Sequence, residues 1–264
     1  MKQLMSIPLF LMTAGGWADM YDDSRAIART EVVSDPAFRI DRSGGDRGQD
    51  SFFYDATARR ANRNSLLLTI YKRPDETGAS SVWNALTPNL RTEQSNVAFS
   101  GLPVGAAVRQ NVGIRGGCSI HAIDGLFVVK AHLSYSGSRP PEGGNADDKI
   151  ICEGVARRSL ARCRGLQAQS AQNINVNGTE VGSLTGPRGE RLVDLVRYCE
   201  ALNLEMTTNQ RLGTASFTQG GEQVIIPLAA LKIKDGPRWI ETQDISLIKS
   251  GKWYVSYAGL EATR

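Results

Sequence analysis

Cys118-Ser119-Ile120-His121-Ala122-Ile123-Asp124-Gly125-Leu126-Phe127-Val128-Val129-Lys130-Ala131-His132-Leu133-Ser134-Tyr135 alternates apolar and polar residues on both sides of one Asp-Gly pair. Period-two alternation marks a strand with one buried face. Asp-Gly between two such runs is a strong signal for a two-residue turn. The stretch therefore predicts an antiparallel hairpin. A turn made of Asp124-Gly125 pairs Ile123 with Leu126, Ala122 with Phe127, Ile120 with Val129 and Cys118 with Ala131. One face then carries Cys118, Ile120, Ala122, Phe127, Val129, Ala131, Leu133 and Tyr135 and packs on a core. The other carries Ser119, His121, Val128, Lys130, His132 and Ser134 and is expected to be largely wet.

Working outward, residues 136–146 read as a Gly/Pro-rich loop, and Asp147 or Asp148 starts a helix that runs to Arg164, with Gly165 as its stop. Its apolar stripe is Ile151, Cys152, Val155, Ala156, Ser159, Leu160 and Cys163. Its other face carries Glu153, Arg157, Arg158, Arg162 and Arg164 and reads as solvated. A helix on a half-wet antiparallel sheet is an α+β layer. Upstream, Ser65–Tyr71 is a continuous apolar run of strand length, Asp75 caps a helix over Glu76–Leu86 ended by Pro88, Phe52-Phe53-Tyr54 suggests a short strand, and Val108–Ile114 a further one. Residues 41–50 contain no apolar side chain and read as a loop.

Residues 167–172 (Gln-Ala-Gln-Ser-Ala-Gln) read as a polar linker, which predicts two small α+β domains. Each is expected to be a mainly antiparallel sheet packed by one or two helices. The divisions are a polar, partly irregular segment over 19–60, a domain over 61–166, the linker over 167–172, and a second domain over 173–264. In the second, Ile174–Val176 runs into an Asn177-Gly178 turn. Asp194 caps a short helix to Leu202, with Asn203 at its stop. Thr214–Thr218 and Val224–Ile226 flank a Gly220-Gly221 hairpin. Arg238–Glu241, Ser246–Ile248 and Trp253–Val255 are further strands.

The run Leu192-Val193-Asp194-Leu195-Val196-Arg197-Tyr198-Cys199-Glu200-Ala201-Leu202-Asn203-Leu204-Glu205-Met206 resembles the signature of the copper amine oxidase N-terminal-like domain, or stalk domain. Asn177-Gly178 stands before it, and Gly213–Phe217, the Gly-Gly hairpin and Gly251–Val255 follow in order, so the resemblance covers about 173–260. Asp194, Val196 and Asn203 depart from the family's Pro, Arg and Gly. Ser256-Tyr257 stands where a second helix would begin, which implies that this helix is missing or stunted. The resemblance implies a small exported bacterial module without copper or quinone chemistry. The first half, with Gly101–Ala107 between a strand–helix unit and the hairpin, is vaguely similar to small exported modules of bacterial lipoproteins.

The N-terminus reads Lys2, an apolar run Leu4–Met12, then small residues up to Ala18, the three-part layout of a secretory signal peptide over residues 1–18. That run is too short to span a bilayer, and no later segment reaches transmembrane length. The expected location is extracellular or in the cell envelope. A net charge of +4 over 264 residues is weak evidence for a nucleic-acid partner, and none is expected.

Candidate chemistry is sparse. Two histidines exclude any site needing three imidazoles. In the register above, His121 and His132 lie four residues of strand apart, roughly 13 Å, too far to share an ion. Ser119 stands two residues from His121 with no placed acid. Four cysteines in an exported chain permit two disulfides. Cys152 and Cys163 lie about 16 Å apart on one helix, so they cannot bond each other. Buried thiols are the favoured reading, with a Cys118 bridge to Cys152 or Cys163 as the main exception. The stripe Arg157, Arg158, Arg162, Arg164 is a candidate surface for anionic wall polymer or lipid headgroups. No catalytic, cofactor-binding or metal site is assigned, and no cofactor is expected. The sequence reads as an exported, non-catalytic binding or scaffolding protein of the bacterial cell envelope, its partner an envelope polymer or protein. The alternative is a secreted hydrolase or redox enzyme whose site assembles from scattered loop residues.

Overall fold

The computed structural model describes residues 15–60, 64–86, 107–111, 117–134 and 146–264. In the first half, helix α1 (Gly15–Glu31) precedes β1 (Arg39–Arg47), β2 (Phe52–Arg59) and β3 (Ser65–Lys72). Then come α2 (Glu76–Leu86), β4 (Ala107–Asn111), β5 (Gly117–Asp124), β6 (Phe127–Ser134) and α3 (Ala146–Gln167). The strands form one antiparallel sheet ordered β1-β2-β3-β6-β5-β4. Residues 1–14 of the expected signal segment, the Pro88 stop and the 136–145 loop lie outside the described residues.

The hairpin forms, and its inward face is the expected one: Cys118, Ile120, Ala122, Phe127, Val129, Ala131 and Leu133 are all buried. Its register differs. Asp124 pairs with Phe127, Ile123 with Val128, Ala122 with Val129 and Cys118 with Leu133. The turn is therefore centred on Gly125-Leu126, with Gly125 at φ +54°. The physical reason lies in the Asp124 carboxylate, which is buried against Arg164 instead of capping the turn. The shift of two residues along β6 keeps every side chain on its face, because side-chain direction repeats every two residues.

The second face is not uniformly wet. Helix α2, begun by Asp75 whose Oδ1 accepts from the Gly78 amide at 2.7 Å, packs on β5 and β6. Ser119, His121 and Val128 are buried there.

Residues 41–50 also depart from expectation. Arg39–Arg47 is a strand, paired along its length with β2 and exposed at every position. It has no apolar face to bury, so it is held by its neighbour's backbone rather than by its own pattern. The Lys72 ammonium, fully buried, donates to the Asp50 carbonyl at 3.0 Å beside the β1–β2 turn.

The second half contains β7 (Gln169–Ser170), β8 (Ile174–Val176), β9 (Thr179–Val181), β10 (Ser183–Thr185), β11 (Arg191–Asp194), α4 (Leu195–Ala201), β12 (Thr207–Asn209), β13 (Thr214–Gln219), β14 (Glu222–Pro227), β15 (Lys232–Asp235), β16 (Arg238–Glu241), β17 (Leu247–Lys249), β18 (Lys252–Ser256) and α5 (Tyr257–Glu261). Two five-stranded sheets, β17-β18-β11-β10-β7 and β12-β13-β14-β15-β16, and the β8–β9 ribbon surround the core of α4 and α5. Asp194 caps α4 by accepting from the Arg197 amide, and Asn203 follows it at φ +54°. Helix α5 is five residues long and capped by Ser256. The architecture is α+β: antiparallel sheets packed by a few helices. Residues 167–172 are woven into it, since Ala168 is buried and Gln169–Ser170 pairs with β10.

Helix α3 is the joint between the halves. One side packs on β5 and β6 through Ile151, Cys152, Val155, Ala156, Leu160 and Cys163. The side expected to be solvated is buried as well: Glu153 is 3% exposed, Arg157 1% and Arg164 4%. Leu228, Ala229 and Ile245 of the second half join the first half's core. Gly165 does not end the helix. It sits where a Cβ would lie 2.9 Å from the Ile248 carbonyl carbon, so its bareness admits the β17 backbone.

Candidate functional site

Three places in the fold carry functional side chains or exposed backbone. The first is the polar face of the six-stranded sheet. The observed register sets Ser119 opposite His132 and His121 opposite Lys130. Ser119 Oγ and His132 Nδ1 share a hydrogen bond. The two histidines are thereby diagonal neighbours, roughly 7–8 Å between backbones, not four residues of strand apart. At that separation, distance alone does not exclude a shared ion. Among the described residues, no group of three or more His, Cys, Asp or Glu is placed to hold a metal. The serine's partner is His132 and not His121, which is buried two residues along the same strand. A hairpin sequence does not disclose this pairing, because either register keeps both residues on the same face.

The second place is the basic side of α3. Arg157 donates from Nε to Glu153 Oε1 at 2.8 Å and from Nη1 to the Leu228 carbonyl at 2.9 Å. Arg158 and Arg162 hold the two oxygens of Glu31 in α1 at 2.7 and 3.0 Å. Arg164 Nε lies 2.5 Å from Asp124 and its Nη2 3.6 Å from Asp244. Arg188 also reaches Asp124, and its backbone amide donates to Asp244 at 2.8 Å. Burial is the main influence here. It raises the Asp124 pKa and lowers those of Arg157 and Arg164, against the opposing pull of their partners. Arg157, Arg158, Arg162 and Arg164 are therefore all ion-paired, Arg157 and Arg164 buried and Arg158 and Arg162 partly exposed, and the candidate surface for anionic polymer or lipid headgroups is not an open basic stripe. A pocket of about 90 Å³ beside it is lined by Ser34, Asp35, Ile151, Arg158, Gln210 and Arg211. Its charges are already matched, Arg158 by Glu31 and Asp35 by Arg60 at 3.5 Å.

The third place is β1. Among the described strands it stands at the end of the order with β2 as its one neighbour, and all nine of its residues are exposed. Nine exposed residues in one edge strand make a long template for pairing. Asp41 is held by Arg59 at 2.9 Å, and the Arg47 guanidinium stands 5.5 Å from the centre of the Tyr21 ring. Both contacts steady the strand from the β2 and α1 sides and leave Arg42, Ser43 and Gly44 open. The sequence carries no hydrophobic signal for this strand.

The four cysteines are buried thiols in this structure. No helix among the described residues is long and apolar enough to cross a membrane. Comparison with known proteins finds no matching family model, no matching curated protein and no matching solved structure.

Proposed function

We propose that this chain is an exported, non-catalytic binding or scaffolding protein of the bacterial cell envelope, and that it binds by adding a strand at β1. The observation that carries the reading is the open edge of Arg39–Arg47. An extended peptide segment of an envelope protein can hydrogen-bond to such an edge along its whole length. The signal-like residues 1–18 and the stalk-domain resemblance over 173–260 support the location.

The test is capture of envelope proteins by the mature chain, with proline placed on the edge. In an antiparallel strand, adjacent residues direct their amides to opposite sides. One of Ser43→Pro and Gly44→Pro therefore removes an outward amide and leaves the β2 ladder intact. That variant should keep the wild-type melting temperature and lose the captured partner. A partner retained by both variants, or no capture by the wild type, defeats the proposal.

The Ser119–His132 hydrogen bond favours a second reading, a secreted hydrolase with Ser119 as nucleophile and His132 as its base. A fluorophosphonate probe that labels the wild-type chain, but not Ser119→Ala, would support that reading over the binding one.

A further inference from the structure

We propose that Cys118 and Cys152 are a disulfide-forming pair that ties β5 to α3 when the chain folds in an oxidising compartment. The sequence permits a Cys118 bridge to Cys152 or to Cys163, and the geometry points to Cys152. Cys152 Sγ lies 3.5 Å from the Cys118 carbonyl oxygen. Cys118 and Leu133 are cross-strand partners, and both share one buried cluster with Cys152. Its sulfur therefore sits directly over the β5–β6 pair that presents Cys118. Cys163 lies eleven residues further along α3, about 16 Å by helical rise, and is buried in the same core. Cys199 belongs to α4 in the other core.

Both thiols of the pair are buried. The Cys152 thiol is held well above the ordinary range, first by its hydrogen bond to Cys118 and then by burial. The finished fold therefore suppresses the thiolate that would react, and the bond has to form before α3 closes over the sheet. The balanced step needs a disulfide-bearing oxidant, either a protein dithiol–disulfide oxidase or oxidised glutathione. One cysteine thiolate attacks the oxidant's disulfide, giving a mixed disulfide and one released thiol. The second cysteine thiolate attacks the mixed disulfide, forming the Cys118–Cys152 bond and releasing the second thiol. Two protein thiols are oxidised and one external disulfide is reduced. The bridge closes a loop that contains residues 135–145, and so removes freedom from the unfolded chain.

The inference rests on the proposed export for its oxidising compartment, and two arms separate the two claims. In the first, the full chain is refolded from denaturant in a glutathione redox buffer, digested without reduction and read by mass spectrometry. A peptide pair joining Cys118 to Cys152 is expected. The bridged form should melt roughly 5–10 °C above the reduced form, a shift absent in Cys118→Ala and Cys152→Ala and retained in Cys163→Ala. Four alkylatable thiols after refolding, or a bridge to Cys163 or Cys199, overturns the pairing. In the second arm, thiols are trapped by alkylation in the producing cell. A bridge formed in the redox buffer but absent in the cell removes the compartment claim and, with it, the bridge as a feature of the native protein. The pairing geometry survives that outcome.

Discussion

Gly165→Ala separates two opposite expectations. Alanine is the better helix former by about 0.8–1 kcal/mol, so a helix considered alone should gain stability. The structure reverses the sign. A Cβ at 165 would lie 2.9 Å from the Ile248 carbonyl carbon, closer still to its oxygen, and 3.5 Å from Lys249 Cα. Ordinary contacts begin near 3.4 Å, so α3 and β17 have to part by at least half an ångström. The obstacle is strand backbone paired with β18, which cannot swing aside as a flexible side chain can. Overpacking of this kind costs about 1–3 kcal/mol. Net of the propensity gain, a loss of up to about 2 kcal/mol remains, which lowers the melting temperature by up to about 8 °C for a chain of this size. Gly44→Ala, whose Cβ meets nothing within 4 Å, is the matched control and should move stability by no more than about 0.5 kcal/mol. Differential scanning calorimetry on the three proteins decides it. If Gly165→Ala melts at or above the wild type, α3 is not clamped between the two halves as described.

Arg157→Met leaves Glu153 buried and unpaired, and should cost about 3–5 kcal/mol in denaturant titration. The double change with Glu153→Leu should recover most of that loss, and equal costs for single and double variants would show that the pair is solvated. Val129→Ala and Val155→Ala each remove two methyl groups from the β6–α3 contact and should cost roughly 1–3 kcal/mol. An effect within 0.5 kcal/mol would place the residue outside the core. Burial raises the pKa of Asp124 in the fold. The folded state thus holds that proton more tightly than the unfolded chain, and the stabilisation is complete below an ordinary Asp pKa of about 3.9 and lost as pH rises through the folded value. The wild-type minus Asp124→Asn melting temperature should accordingly fall as pH is raised from about 4, and a rising difference would contradict the buried placement.

The inward faces were legible because both hairpin and helix bury apolar side chains at their own period. Cys118, Ile120 and Ala122 on one strand, and Ile151, Val155 and Leu160 on the helix, show that pattern in the bare sequence. The short helix after Asp194 was legible for a different reason: a carboxylate placed to accept from the Arg197 amide, with Asn203 able to take the left-handed conformation after it. The register of the β5–β6 hairpin was not legible. It is decided by where Asp124 sends its carboxylate, and Arg164 stands forty residues away in the chain. The Ser119–His132 contact depends on that register, so it was hidden too. Strand β1 was hidden more completely, because its pairing comes from β2 and none of its side chains is buried.

Helix α3 shows how charge can mislead and what would have corrected it. Glu153, Arg157, Arg158, Arg162 and Arg164 read as a water-facing side because isolated charges belong in water. Each of them instead finds an opposite charge on α3 itself, on α1, on the hairpin turn or in the second half. A second feature of the same helix points the right way. Gly154, Ala161 and Gly165 recur at intervals of seven and four residues, which at about 100° per residue places them within about 40° of each other around the axis. A stripe without bulk among long charged side chains serves no purpose toward solvent, and glycine there costs helix stability. It makes sense where another backbone must come close, and both glycines meet one: Arg211 at 154 and Ile248 at 165. The two contacts lie about 16 Å apart along α3, so the second half is gripped at both ends of a single face. Small residues on the charged side of a helix are thus the readable sign that this side, too, is covered.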